Sequence, residues 1–365
     1  MFITRRKFLH ISSSAALGVV LADVWLPELL KAASVKNGVG RLPIIWFQAQ
    51  TCSGCSVSFV NTEYPNIEDV LIEVVNLVYN PTIMGGTGDV ALKVIENMMK
   101  KEQGNYILAV EGSIPLAAEN EYCTVGESYG VPITATDWII HIAKNAKAVL
   151  AIGSCASWGG IPSAPPNPTG AVPISKLVHD IPLINIPGCP PHPDWMTGTL
   201  VHVIKYGIPE LDNQKRPKLY FGKDKVIHDN CELREYFDRG KFAKDFGDAG
   251  CLYELGCKGP VAHCDVSIRG WNSGVNWCNR AGGPCIGCTE PSFPGLTKSG
   301  LYERLPSAQV PGFSGINSTA NTVGKALGVA TVTGICAHAI ARSLNIKKAK
   351  KRRAEPIDET TITSK

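Results

Sequence analysis

The sequence predicts an α/β protein with a parallel-sheet domain, a small irregular domain and a C-terminal transmembrane helix. From Leu42 to about Lys218, short apolar runs alternate with helix-like stretches, which is typical of a parallel α/β sheet. Residues 221–312 are rich in cysteine, glycine and charge and hold few long apolar runs. A last uncharged apolar segment follows at 326–341. The predicted boundaries are 42–220 and 221–312 for the two domains, 319–345 for the membrane helix and 346–365 for a basic tail.

The first 34 residues indicate an export signal. Arg5 and Arg6 precede an apolar stretch that begins at Ala15 and ends in small residues at 32–34. This pattern resembles a twin-arginine (Tat) signal, so residues 1–34 are excluded from the predicted fold. The alternatives are an uncleaved anchor or a chance pair of arginines. Tat export carries folded proteins, which suits a chain that must receive a fragile cofactor in the cytoplasm.

Four apolar runs of the first domain end in loops that carry unusual residues. LPIIWF leads into QAQTCSGC, YILAV into EGSIP, AVLAI into GSCASWGG, and IPLINI into PGCPPHP. Because ligands in open α/β sheets bind beyond the carboxyl ends of the strands, these loops should converge on one site. Three of the four loops bring cysteine to it, namely Cys52, Cys55, Cys155 and Cys189.

These four cysteines form a complete tetrahedral ligand set. A chain of 365 residues can build a core without disulfides, so its thirteen cysteines point first to metal. Four thiolates suit either a cubane iron-sulfur cluster or a structural zinc. Zinc usually takes two local CxxC pairs, whereas this set gathers single cysteines from distant loops, and nearby Gly153, Gly159 and Gly160 let backbone approach a bulky core. A cluster is therefore favoured, with zinc or buried free thiols as alternatives.

The second domain supplies two further candidate sets. His228 and Cys231 form an HxxC pair, and Cys251 and Cys257 follow it. An imidazole in place of one thiolate makes a cluster less negative and tends to raise its potential; the alternative is a structural histidine. Leaving out Cys123 and Cys336, eleven cysteines and one histidine make three sets of four. The third set is Cys264, Cys278, Cys285 and Cys288.

The C-terminal segment has the features of a membrane anchor. Its sixteen uncharged residues, bounded by Lys325 and Arg342, are intermediate in length between a buried helix and a full membrane span. Both flanking cations can snorkel to the membrane surface, which lengthens the segment that fits in the membrane. The basic run at 347–353 is typical of the cytoplasmic side, which would place the body of the protein in the periplasm. The alternative is an amphipathic or disordered tail. The net charge of +4 owes much to this run, so it indicates orientation and not nucleic-acid binding.

The motifs TCSGC, GSCASWGG, PGCPPHP, CLYELGCKGP and PCIGC occur in this order. With them, nearly the whole chain closely resembles the small subunit of membrane-bound nickel-iron uptake hydrogenases. The resemblance implies a flavodoxin-like first domain and three iron-sulfur clusters. It assigns Cys52, Cys55, Cys155 and Cys189 to a proximal 4Fe-4S cluster, His228, Cys231, Cys251 and Cys257 to a distal 4Fe-4S cluster, and Cys264, Cys278, Cys285 and Cys288 to a medial cluster.

The resemblance also implies partners. In that family the nickel-iron centre lies in a separate large subunit, so we expect an obligate heterodimer and no catalytic residue in this chain. Electrons from hydrogen oxidation would pass through the clusters to a membrane cytochrome b or other quinone-linked subunit, or to a cytochrome c.

Three departures from the commonest family pattern matter. Cys278 stands where many relatives have proline, which predicts a medial 4Fe-4S instead of a 3Fe-4S cluster. Cys264 lies closer to CKGP than in many relatives, so its assignment depends on the loop adjusting. Oxygen-tolerant relatives carry two additional cysteines; Cys123 matches one position, but Gly54 occupies the other, so an ordinary proximal cubane is expected.

Two other classes compete with this hypothesis. A quinone-reductase subunit of the respiratory complex type has similar GSCA and PGCPP motifs, but should lack the Tat signal and the downstream HxxC and CIGC motifs. An exported binding protein stabilised by zinc or disulfides is the non-enzymatic alternative.

Overall fold

Residues 41–128, 130–295, 300–305 and 316–354 are described by a computed structural model. The predicted export signal at 1–34 and the end of the basic tail, 355–365, lie outside these residues. The chain forms two compact units that divide between Leu305 and Pro306.

A five-stranded parallel sheet organises the first unit. Its order is β2-β1-β3-β7-β9, which is 2-1-3-4-5 when only its own strands are counted, the order of flavodoxin-like folds. Two antiparallel pairs, β4 with β8 and β5 with β6, lie outside the sheet. The strands are β1 Leu42–Gln48, β2 Val75–Tyr79, β3 Ile107–Glu111, β4 Ile114–Pro115, β5 Thr124–Ser128, β6 Val131–Thr134, β7 Ala148–Ile152, β8 Ala171–Val172 and β9 Leu183–Ile186.

Helices cover both faces of the sheet. Ile44 and Trp46 of β1 point into one core, while Ile45 and Phe47 point into the other, because successive side chains of a strand face opposite ways. The helices are α1 Gly54–Val60, α2 Ile67–Asp69, α3 Gly88–Lys101, α4 Ala135–Ala143, α5 Gly153–Trp158, α6 Pro193–Tyr206, α7 Lys218–Phe221, α8 Arg234–Asp238, α9 Val266–Arg269 and α10 Ile316–Ala354.

The four apolar runs singled out in the sequence form β1, β3, β7 and β9, so the predicted parallel sheet is confirmed. The edge strand β2 was not among them. Its apolar run is interrupted by Asn76, whose side chain is exposed, and an edge position tolerates such a break.

The cysteine-rich region has little regular structure. Between residues 222 and 295, all of which are described, no helix is longer than five residues. Its core nevertheless continues from the sheet, since Cys257, Cys264 and Cys285 belong to the same hydrophobic cluster as Trp46 and Trp195. The compact unit runs on to Leu305, and the predicted boundary at 220 stays a prediction.

The second unit is described through α10. Within it, Val323–Asn345 spans 23 residues with a mean hydropathy of 1.4, and is the one stretch of the described chain long and apolar enough to cross a membrane. The side chains along this stretch are exposed. The apolar C-terminal helix predicted from the sequence is therefore present.

Candidate metal centres

The first cysteine set lies at the carboxyl edge of the sheet. Cys52 follows β1, Cys55 lies in α1, Cys155 lies in α5 directly after β7, and Cys189 follows β9. Burial, then the charges of Glu111 and of the other three cysteines, raise the pKa of the Cys55 thiol well above its usual range. Burial and the charges of Cys189 and Cys52 likewise raise the pKa of Cys155 to about 12. The fold thus brings the four predicted ligands within electrostatic reach of one another.

Two glycines let the backbone pass close to these sulfurs. Gly153 has a φ of +84°, and a Cβ there would lie 2.6 Å from the Cys55 Sγ. Gly160 has a φ of +56°, and a Cβ there would lie 2.8 Å from the Cys155 Sγ. Both the left-handed conformation and the close approach require glycine. A tight backbone cradle around the sulfurs fits a bulky ligand bound at this edge.

The fully buried carboxylate of Glu111, at the end of β3, fixes the loop that carries Cys52 and Cys55. It accepts hydrogen bonds from the Cys55 backbone N–H (3.1 Å) and from the Ser56 hydroxyl (2.6 Å). It also accepts from the indole of Trp46 (2.8 Å) and from the Thr51 hydroxyl (3.1 Å). These donors satisfy the buried carboxylate oxygens, so Glu111 holds the loop of Cys52 and Cys55 in place.

The second set surrounds a single cavity. His228, Cys231, Cys251 and Cys257 all line it, together with Asn279. The His228 ring packs edge-on against Phe237, with the ring centroids 4.5 Å apart. Burial lowers the pKa of His228, which favours the neutral imidazole that binds metal.

Nitrogen donors point at two sulfurs of this second set. The backbone N–H of Leu233 lies 3.4 Å from the Cys231 Sγ, and that of Gly259 lies 3.4 Å from the Cys257 Sγ. The side-chain Nδ2 of Asn279 lies 3.6 Å from both sulfurs. Such donors stabilise thiolate ligands of a metal cluster.

The third set also comes together. Burial and the charges of Cys285 and Cys288 raise the pKa of Cys264 well above its usual range. Burial and the charge of Cys278 raise the pKa of Cys288 to about 12. Cys264 and Cys285 are buried, whereas Cys278 is exposed.

The three sets form a row, with the third set in the middle. Besides burial, the charge of Cys189, in the first set, raises the pKa of Cys288 in the third. The backbone N–H of Cys189 also donates a hydrogen bond to the Cys288 sulfur. Besides burial, the charge of Cys257, in the second set, raises the pKa of Cys285 in the third. The hydroxyl of Ser154, next to Cys155, donates to the carbonyl of Cys288.

The thirteen cysteines all lie in the described part of the chain, and none forms a disulfide. Among the described residues, no three or more His, Cys, Asp or Glu side chains converge on a single ion position. A cubane does not require such convergence, because each of its ligands binds a different iron. The donor sets, mostly thiolates in apolar surroundings, fit iron-sulfur clusters.

Two buried cations that the sequence analysis missed hold this region together. Arg216 donates to the carboxylates of Asp212 (2.8 Å) and Glu290 (2.9 Å) and to the Thr289 carbonyl (2.9 Å), next to Cys288. Lys258 donates through Nζ to carbonyl oxygens, and its backbone N–H donates to the Cys285 carbonyl (2.7 Å). Lys258 could have been found from its place in the GCKGP motif, whereas Arg216 belongs to no motif.

Comparison with known proteins distinguishes between the candidate families. Residues 52–203 match a family model described as the 20 kDa subunit of NADH ubiquinone oxidoreductase, which alone would leave the respiratory alternative open. Residues 224–299 match the model of the C-terminal region of the NiFe/NiFeSe hydrogenase small subunit. The uptake hydrogenase small subunit of Azotobacter vinelandii is 40% identical over 343 residues, covering 92% of each chain. The chain belongs to the nickel-iron hydrogenase small subunits.

Other members of this family agree over similar lengths. The quinone-reactive Ni/Fe-hydrogenase small chain of Wolinella succinogenes is 38% identical and covers 93% of this chain and 95% of its own. The [NiFeSe]-hydrogenase structure of Desulfomicrobium baculatum matches with a TM-score of 0.69 and 41% identity, over 73% of this chain and 100% of the solved chain.

Membership fixes the general role. The hydrogenase small subunit is one subunit of an oxidoreductase whose large subunit is a separate chain, and it carries iron-sulfur clusters and transfers electrons. The resemblance to this family is thereby confirmed.

Proposed function

We propose that this hydrogenase small subunit passes electrons from hydrogen oxidation in the large subunit through three iron-sulfur clusters to a quinone-linked partner in the membrane. Each of the three sets would bind one cluster that accepts and releases single electrons. The proximal 4Fe-4S site is Cys52, Cys55, Cys155 and Cys189; the medial site is Cys264, Cys278, Cys285 and Cys288; the distal 4Fe-4S site is His228, Cys231, Cys251 and Cys257.

The row of neighbouring thiols carries this proposal. Cys288 neighbours Cys189, and Cys285 neighbours Cys257, so the third set adjoins both others. Because electrons move between adjacent centres, such a row supports the order proximal, medial, distal. His228 belongs to the last set in this order and is partly exposed, which suits an exit.

At the medial site we propose a 4Fe-4S cluster. Cys278 is exposed, yet its charge affects both Cys285 and Cys288, so its sulfur lies close to the other ligands. A fourth thiolate in this position supports a four-iron over a three-iron cluster.

The membrane role rests on α10 and on the basic run at 347–353. An apolar helix followed by clustered cations supports an anchor at 319–345 with a cytoplasmic tail at 346–365. We propose Tat export through residues 1–34, a periplasmic body with domains at 42–220 and 221–312, and a cytochrome b as the membrane partner, a cytochrome c being the alternative. The relative named quinone-reactive supports a quinone-linked acceptor.

Metal analysis of the anaerobically purified heterodimer tests the proposal. Three cubanes predict about twelve irons in addition to the iron of the nickel-iron centre, four for each cluster, with matching acid-labile sulfide. Replacing Cys251 with serine should remove or alter the distal electron paramagnetic resonance signal. The matched control, Cys123→Ser, changes a half-buried cysteine outside the three sets and should leave all signals intact. Zinc without acid-labile sulfide would refute the proposal.

A further inference from the structure

Asn279 lies between two of the three sets. It follows Cys278 of the medial set directly in sequence, and its side chain lines the cavity of the distal set. Only 6% of the residue is exposed. Its Nδ2 lies 3.6 Å from the Sγ of both Cys231 and Cys257.

The orientation of the amide follows from the chemistry of its neighbours. A metal-bound thiolate can only accept hydrogen bonds, so the amide nitrogen must face the two sulfurs. The amide oxygen then has no partner among the described residues. An unsatisfied buried acceptor costs about 1–3 kcal/mol. A side chain held at that cost indicates a role other than stability.

The loop around Asn279 is fixed on both sides. The Asn279 carbonyl accepts from the Gly282 N–H (3.0 Å), which closes a turn. Arg280 pairs with Glu232 (3.0 Å), the residue after Cys231. The backbone turn therefore holds the amide against the distal sulfurs, and the ion pair beside it is exposed.

We propose that Asn279 is a positioning residue that raises the reduction potential of the distal cluster by donating to the sulfurs of Cys231 and Cys257. This inference rests on the proposed distal site. Reduction adds negative charge to a cluster and its thiolates, so hydrogen bonds to the sulfurs stabilise the reduced form more than the oxidised form. Asn279 couples this effect to the medial ligand loop, because it adjoins Cys278.

Potentiometric titration of the heterodimer, followed by electron paramagnetic resonance, tests the proposal. Asn279→Leu removes both N–H donors and keeps the same number and branching of side-chain heavy atoms. At the midpoint potential of the wild-type distal cluster, the ratio of reduced to oxidised distal cluster in this variant should fall at least threefold. This corresponds to a midpoint potential lower by about 28 mV, at 59 mV per tenfold change. Asn279→Asp, which adds a negative charge, should lower the potential further. Arg280→Gln breaks this exposed ion pair without touching sulfur and should shift the distal potential much less than Asn279→Leu does.

A second measurement uses the wild-type chain and so does not depend on a variant folding. With ¹⁵N in asparagine side-chain amides only, the reduced distal cluster should show a ¹⁵N hyperfine coupling. An unchanged distal potential in Asn279→Leu, or the absence of this coupling, overturns the role of Asn279. An equal shift at the proximal and distal clusters also overturns it. Loss of the proposed function would look different, since no histidine-coordinated cluster would then be detected.

Discussion

Replacing Gly153 with alanine tests the close approach of the backbone to the proximal sulfurs. The new Cβ would lie 2.6 Å from the Cys55 Sγ, so one of the two must move about 0.8 Å to reach ordinary contact at 3.4 Å. Functional sites tolerate about 0.5 Å of displacement. The left-handed φ of +84° adds about 1–2 kcal/mol of strain for a residue with a Cβ.

Gly207 provides a matched control. Its φ of +83° is nearly the same, but a Cβ there would meet nothing within 4 Å. Gly207→Ala therefore shares the positive φ without the contact. Iron analysis of the purified heterodimers should show a loss of about four irons, one cubane, in Gly153→Ala and full loading in Gly207→Ala. Full iron and an intact proximal signal in Gly153→Ala would refute the reasoning.

Three further predictions concern the medial ligand, the buried cation and the anchor. Cys278→Pro should give a 3Fe-4S electron paramagnetic resonance signal on oxidation; a wild-type protein that already shows this signal at full stoichiometry would exclude Cys278 as a ligand. Arg216→Met leaves two partly buried carboxylates uncompensated and should cost about 3 kcal/mol, the low end for a buried pair, seen as faster thermal inactivation, whereas the exposed pair lost in Arg239→Met should have little effect. A chain ending after Pro311 should leave the membrane and keep hydrogen-dependent dye reduction; continued membrane binding would contradict the anchor.

The sheet was predictable because its strands are buried on both faces and therefore read as continuous apolar runs. The ligand loops followed from the same pattern, since each cysteine-bearing motif begins where a run ends. The edge strand β2 was not predicted, because the exposed Asn76 interrupts its apolar run and an edge position tolerates a polar residue there.

The supporting residues around the sites were harder to predict. Asn279 and Arg216 act through partners that are distant in sequence, Cys231 at 48 residues and Glu290 at 74 residues. No local pattern marks a polar residue whose partners are brought near it only by the tertiary fold.

The scarcity of regular structure between residues 222 and 295 has a consequence for how the protein matures. This segment has no helix longer than five residues, so under the proposed cluster binding its loading and its folding would amount to one event. A chain that has not received its clusters should remain open to proteases over this segment while the sheet stays protected. Under the proposed twin-arginine export, which accepts folded cargo, iron supply would then decide which copies leave the cytoplasm.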